Sequence, residues 1–391
     1  MTSRDRLLAA LHGERPDHVP LAFMIFQALR APPGADWAGR LAAQAALGLD
    51  VVADISGTVR DRRGDCPDLP GMPVRLAADC RIREWREHPA GARYPVLHKA
   101  YDTARGTLSL SVDQTEDWPH GDHIPLFSDF IEPRARQPLI TSAADVALLR
   151  HLLAPPQADD IVACRTAWAA AKAHALRQGY LVSAGWGVGA DALAWVYGSD
   201  RAALLAYDDP DLLAELLALF HDFNRQRMEL MLAAGPDLFV RRAWYEGTAF
   251  WSPTLFRRFL LPGLRREVEL AHQAGVAYAY ILSQGGLQFA SLLREAGIDV
   301  LVGVDPVQDK GMDLAKLRAA VGPRMCLWGG INGFVTVERG TAAEVRAALD
   351  QALATLGPAG LILSPVDNVR DPGDHAWSNV LALIAAWRAK W

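Results

Sequence analysis

The sequence predicts an α/β fold, a (β/α)8 TIM barrel with an antiparallel segment inserted after its second strand. Three observations lead there. Eight short apolar runs recur along the chain, helical patterns separate most of them, and glycine closes several of those helices just before the next run. Most runs are near-continuous rather than alternating, which suits strands buried on both faces of a parallel sheet. With 391 residues, the span 1–391 fits a single barrel with an appendage.

The elements follow in order. Thr2 to Asp5 offer a capping box, and Leu7, Leu8 and Leu11 give helical spacing up to Gly13. Pro16 and Pro20 lead into the first run, Leu21–Phe26. The other runs are Asp50–Ile55, Gly179–Ala184, Asp237–Arg242, Val276–Leu282, Asp299–Val304, Met325–Trp328 and Gly360–Leu363. Helical stretches are expected at 202–231, 253–274, 287–296, 314–321 and 342–356, with glycine after several of them. Residues 57–160 break the rhythm, being rich in Gly, Pro, Arg and Asp. This stretch is expected to form an insertion beside the barrel mouth. Its alternating runs Arg81–Trp85 and Gly106–Val112 predict a small antiparallel sheet, and Asp145–Leu153 a short helix.

Composition narrows the function. Hydrophobic residues make up 51%, enough for a sizeable core, which excludes wholesale disorder. A net charge of −5 argues against a general nucleic-acid binder, because neutralising phosphates needs a basic surface. No apolar run reaches the roughly 18 residues of a membrane span, and the start of the chain lacks a signal-peptide stretch, so a cytoplasmic location is expected. Cys66, Cys80, Cys164 and Cys326 lie far apart and read as reduced thiols.

In a (β/α)8 barrel, chemistry gathers where strands end. That rule selects Gln27 and Arg30 after the first run, Asp54 at the end of the second, and Trp186 after the third. It selects Arg242, Trp244 and Glu246 after the fourth, Gln284 after the fifth, Asn332 after the seventh, and Asp367 after the eighth. Asp305 and Asn368 lie at strand ends too, with helix capping as their ordinary role. His120 and His123 share a WPHGDH loop in the insertion and read as a loop at the edge of the site. No Walker A, HExxH, GxSxG or DxHxxG motif occurs, and GWGVGA is only a loose dinucleotide fingerprint.

Several segments together resemble the uroporphyrinogen decarboxylase superfamily across nearly the whole chain. They are the opening TSRDRLLAALHGERPDHVPL, FQALR (26–30), ADI (53–55), WSPTLFRRFLLPGLRREVELAHQAG (251–275) and LILSPVDNV (361–369) followed by SNVLALIAAW (378–387). The inserted YDTARGTLSLS and DWPHGDHIPLFSDFI resemble the methyltransferase-like branch, including its demethylase-type members, more than the true decarboxylases. The resemblance implies a barrel fold and assigns Arg30 to the second arginine of a decarboxylase motif, Asp54 to its central aspartate, and Trp195, loosely, to a tyrosine. Departures are equally clear. Phe26 replaces an arginine, Glu246 a serine and Asp367 a histidine, a poor exchange for a polycarboxylate pocket. Thiol-methylating relatives hold zinc through His-x-Cys and a later Cys, where this chain has Leu282, Gln284 and Asp367, so no tightly bound zinc is expected.

The function expected is methyl transfer between a small non-thiol substrate, a methyl ether or methylamine, and a corrinoid (cobalamin) carried by a partner protein. Asp54, Glu246 and Asp367 are the catalytic candidates. Substrate contacts are expected from Arg30, Arg242, Gln27, Gln284, Asn332, His120, His123 and the rings Trp186, Trp195, Trp244 and Trp251. A cofactor-independent decarboxylase or lyase and a non-catalytic ligand-binding barrel are the alternatives, and a homodimer is left open.

Overall fold

Seven strands whose residues are mostly apolar on both faces have only one stable home, a parallel sheet covered on both sides. The computed structural model describes residues 1–59, 75–127 and 135–391, apart from the side chains of 186–188 and 200. Cys66 therefore lies outside the described residues. By internal contacts the chain divides into two compact units. One comprises Met1–Ile55, Ala169–Gly185 and Leu232–Trp391, the other Ser56–Trp168 and Trp186–Met231.

The parallel strands are β1 (Val52–Asp54), β2 (Leu181–Val188), β3 (Leu238–Arg242), β4 (Ala277–Ile281), β5 (Val300–Val304), β6 (Cys326–Asn332) and β7 (Leu361–Val366). They neighbour one another in chain order. Every residue of β3, β5, β6 and β7 is buried.

The first apolar run does not form a ladder. Only Leu21 and Phe26 make isolated bridges, to Leu363 and Val369. Ala22 N donates to Leu363 O (3.0 Å), Leu363 N to Pro20 O (2.8 Å), and Asp50 N to Leu21 O (2.9 Å). The run thus lies against β7 on one side and the approach to β1 on the other. Side chains have taken the place of further ladder partners. Met24 N donates to the Ser364 hydroxyl (3.2 Å), Gln27 N to Asn368 Oδ1 (3.3 Å) and Leu21 N to the Asp50 carboxylate (3.1 Å).

Cross-strand register sorts the side chains. Val240, Ala279, Val300 and Cys326 share one face, and Arg241, Tyr280, Leu301 and Leu327 the other. Trp328 falls on the first face, where its indole N–H donates to Ala22 O (2.9 Å), so that face is the inner one. The second face meets helix Leu261–Gln273, because Tyr278 donates to Glu267 of that helix (2.6 Å).

Helices match the sequence patterns with local changes. Helix Ser3–Leu11 carries the Thr2/Asp5 capping box. The stretch expected at 202–231 is broken into Ser199–Asp208 and Pro210–Leu232, because Pro210 has no N–H to continue the first helix and Asp209 caps the second through Leu212 N (3.0 Å). The stretch at 253–274 contains a π-helical turn, Phe256–Leu260, just ahead of Pro262. Among the described residues no helix is long and apolar enough to cross a membrane.

The second unit holds the described part of the inserted stretch. Its four-stranded antiparallel sheet runs Arg81–Glu87, Val96–Thr103, Gly106–Asp113 and Ala135–Gln137, each pairing with the next. The second of these strands has no counterpart in the sequence pattern. Lys99 interrupts its apolar run, yet that side chain is fully buried, donating to Ile124 O (2.7 Å).

Candidate active site

Arg241 and Arg242 are consecutive on β3, so they point to opposite faces of the sheet. Arg241 faces the helix layer and lies in a buried polar network. It meets Glu246 at 2.5 Å and Glu267 at 3.3 Å, its guanidinium 5.5 Å from the Tyr280 ring centre. Tyr280 donates to Glu246 and Tyr278 to Glu267. Burial works against the Arg241 charge, but the two carboxylates more than offset it and hold its pKa well above the ordinary value. Burial, with the neighbouring carboxylates adding to it, pushes both tyrosine hydroxyls up. Glu246 was expected above the strand ends. Its carboxylate is instead drawn to the helix-facing side by Arg241, the residue beside the arginine singled out from sequence. Arg242 itself is buried on the inner face, 5.6 Å from the Trp244 ring centre.

A second polar group forms where β4 to β7 end, and it laces successive loops together. Asp309 takes the amides of Gly285 and Gly286, tying the loop after β5 to the turn after β4. Gly285 has φ +87°, and a Cβ there would lie 2.5 Å from Thr248, so the turn requires glycine. Asn332 donates from Nδ2 to Asp305 (2.7 Å) and Gln308 (2.8 Å), while its Oδ1 accepts from Val335 N and Thr336 N. Asp305 also accepts from Val307 N and Gln308 N, closing a turn rather than capping a helix as expected, since the next helix, Leu314–Val321, is capped by Asp313. Glu338, on the π-helical turn Gly333–Glu338, accepts from Arg370 N and Asp371 N in the loop after β7.

Asp367 begins that loop. It is exposed to solvent, with enough protein around its carboxyl to desolvate it in part. That desolvation pushes its carboxyl up, Arg370 opposing and Asp305 adding to the shift.

Other candidates take varied positions. Gln27 and Gln284 are exposed, and Asp54 and Trp244 are half-buried. Asn332 is fully buried and committed to its four bonds, a loop tie rather than the substrate contact expected of it. Arg30, expected to fix a substrate carboxylate, reaches Asp374 (2.6 Å) and Pro372 O (3.1 Å), its guanidinium 5.1 Å from the Trp377 ring centre. Exposed acids and carbonyls near the start of helix Asp374–Arg388 have captured it. Trp251, expected to present a stacking face, is buried and donates to Tyr245 O (3.0 Å), anchoring the loop after β3.

Four candidates belong to the second unit. Trp186 has its backbone on β2, and its side chain lies outside the described residues. Trp195 is buried, donates to Pro125 O (3.2 Å) and stacks with Trp118, and His120 meets both rings edge-on. Burial pushes the His120 pKa down, with His123 adding to the shift. His123 Nδ1 lies 3.1 Å from Glu84. Burial raises the Glu84 carboxyl, but His123, the Ile124 amide and Lys99 more than offset it and bring it to about 2.

Asp309, Gln308, Glu338 and Arg370 escaped the sequence reading. The available signal was an acid closing the apolar stretch 334–337, and polar residues just beyond the strand ends.

A parallel α/β sheet with its polar side chains gathered past the strand ends defines the class of scaffold. The family model for uroporphyrinogen decarboxylase (URO-D) matches residues 127–388, and the chain belongs to that family. No curated protein matches it. Among solved structures, a methyltransferase from Methanosarcina mazei is similar in fold, with TM-score 0.58 and 17% identity over 100% of this chain and 99% of that one. A B12-independent methionine synthase from Shewanella aligns with TM-score 0.48 and 10% identity over 95% and 96% of the two chains. The resemblance puts the zinc ligands of thiol-methylating enzymes at positions 282, 284 and 367 of this chain. Leu282 is buried and apolar, Gln284 is a neutral amide, and Asp367 is the one anionic donor of the three. Among the described residues no cluster of three or more His, Cys, Asp or Glu is arranged to hold a metal ion.

Proposed function

We propose that the protein is a methyltransferase-type enzyme built on a (β/α)8 barrel. It moves a methyl group between a small non-thiol substrate, a methyl ether or methylamine, and a corrinoid presented by a partner protein. One observation carries this choice. At the end of β7, where thiol-methylating relatives place a zinc-bound cysteine, stands Asp367, a solvent-accessible carboxyl whose pKa is raised. A reduced corrinoid, as second substrate, supplies the nucleophile that takes the methyl carbon. As the carbon–oxygen or carbon–nitrogen bond breaks, the departing atom gains the electron pair and needs a proton. Asp367 supplies it, and Arg370 then stabilises the carboxylate left behind. The buried network around Arg241 fixes the loop bearing Trp244 and Tyr245, and Glu246 serves there as a structural anion. The full-length similarity to the Methanosarcina mazei methyltransferase supports the reading at the level of fold.

The second reading is decarboxylation, and Arg242 favours it, since a buried cation on the inner face suits a substrate carboxylate. The test is incubation with methyl ethers and methylamines in the presence of free cob(I)alamin, followed by the visible spectrum of the corrinoid. Methyl transfer that Asp367→Asn abolishes supports the proposal. Absence of transfer, with CO2 released from an aromatic or tetrapyrrole acid, overturns it in favour of the decarboxylase.

A further inference from the structure

We propose that Glu338 is a positioning residue that holds the turn carrying Asp367 and Arg370 in its working place. It deepens, and rests on, the assignment of Asp367 as the acid. Glu338 is 6% exposed, and its Oε1 accepts two consecutive backbone amides, Arg370 N and Asp371 N (3.2 Å). Those amides lie three and four residues beyond Asp367, in the loop after β7, outside any helix or strand. Backbone donors there need an acceptor, and the one they have comes from a neighbouring loop.

The anchor is itself immobilised. Asn379, buried on helix Asp374–Arg388, donates from Nδ2 to Val337 O (3.0 Å) and Gly340 O (2.7 Å), on either side of Glu338. At the other end of the same turn, Gly333 packs so closely on the loop after β7 that a Cβ would lie 2.5 Å from Asn368 O and 2.8 Å from Val366 O. Asn332, directly before it, is tied to Asp305 and Gln308. The segment 332–340 is therefore a rigid clamp, touching the end of β7 and the loop after it at Val366 and Asn368 through Gly333, and at Arg370 and Asp371 through Glu338. Asp367 and Arg370 lie within the span that these two contacts bracket. Misplacing a reacting group by about 1 Å can cost roughly 10²-fold in rate, so a clamp of this kind acts on turnover without touching substrate.

The experiment compares Glu338→Ala with Glu338→Gln in the full chain. Glutamine keeps an acceptor oxygen at the same reach, and alanine removes it. In Glu338→Ala the Arg370 and Asp371 amides should exchange with deuterium roughly tenfold faster or more. The Asp367 carboxyl, followed by its 13C shift, should titrate at higher pH, because Arg370 no longer opposes the shift. kcat should fall about 10- to 100-fold with a smaller change in KM. Glu338→Gln should restore all three to near wild type. Should Glu338→Ala not fold, Glu338→Asp, one methylene too short to reach both amides, takes its place. Faster exchange and a shifted Asp367 titration with unaltered methyl transfer uphold the positioning role and overturn the assignment of Asp367 as the acid. Unchanged exchange and titration in the truncated variant overturn the positioning role itself.

Discussion

Glu246→Gln separates a structural acid from a catalytic one. The carboxylate serves two buried donors at once, the Arg241 guanidinium at 2.5 Å and the Tyr280 hydroxyl. Glutamine fills the same space but offers one acceptor oxygen, so one donor is left facing an N–H. Breaking a buried ion pair outright costs about 3–5 kcal/mol. Here Arg241 retains Glu267 at 3.3 Å, which keeps part of the charge compensation and brings the expected loss to roughly 2–3 kcal/mol. At about 1.2 °C per kcal/mol for a chain of 391 residues, the melting temperature should fall by ~2–4 °C. Turnover of the folded variant, measured well below its melting point, should stay within about threefold of wild type, far short of the 10²–10⁴-fold loss that removal of a general acid brings. The assay pairs thermal melts with methyl transfer on the same preparation. An unshifted melt together with a loss of about 10²-fold or more would refute the reasoning and return Glu246 to the chemistry.

Asp367→Asn should fold normally and lose about 10²–10⁴-fold in methyl transfer. In the wild type the rate should fall as pH rises through the raised Asp367 pKa, since the acid works only while protonated; a pH–rate profile without that alkaline limb counts against it. Glu84 titrates at about 2 in the fold and higher when unfolded, so its contribution to the second unit is present above the unfolded value and is lost as pH falls through about 2. Amide exchange in residues 115–124 should accelerate over that window, and a flat response would count against the Glu84–His123 tether. Burial pushes the Cys326 thiol to about 12, so iodoacetamide at pH 8 should modify it only after unfolding, as mass mapping of alkylated peptides would show. Dialysis against EDTA should leave the melting temperature unchanged, and a fall of several degrees would reveal a structural metal.

Burial is written locally, and pairing is not. The continuous runs at Val300–Val304 and Leu361–Val366 announce strands because every residue in them is buried, and helices Leu314–Val321 and Ala342–Leu356 appear where periodicity placed them. Leu21–Phe26 is equally apolar but makes only bridges, since the amides of Leu21, Met24 and the adjoining Gln27 go to the side chains of Asp50, Ser364 and Asn368, far away in sequence. The strand Val96–Thr103 was hidden for the opposite reason, a lysine whose buried acceptor no local pattern reveals. Among site residues, Asp367 was visible because it ends an apolar run. Arg241 was passed over for Arg242, because alternation tells which residues share a face without telling which face looks inward. Glu338 was invisible, as its two donors are backbone amides of another loop.

The inner tryptophan has a consequence for biosynthesis. Trp328 bonds to Ala22 across 306 residues of sequence, and Trp387 to Val19 across 368. An emerging polypeptide therefore exposes the apolar stretch 19–26 throughout synthesis of nearly all the rest, including every segment of the second unit. Local helices form within microseconds, whereas translation supplies about 5–20 residues per second. For tens of seconds that stretch has no native cover, a window in which a chaperone or a neighbouring nascent chain competes for it. Substitutions that make 19–26 more polar should raise soluble yield during expression even where they weaken the finished fold. The nascent chain and the folded molecule thus place opposite demands on the same eight residues.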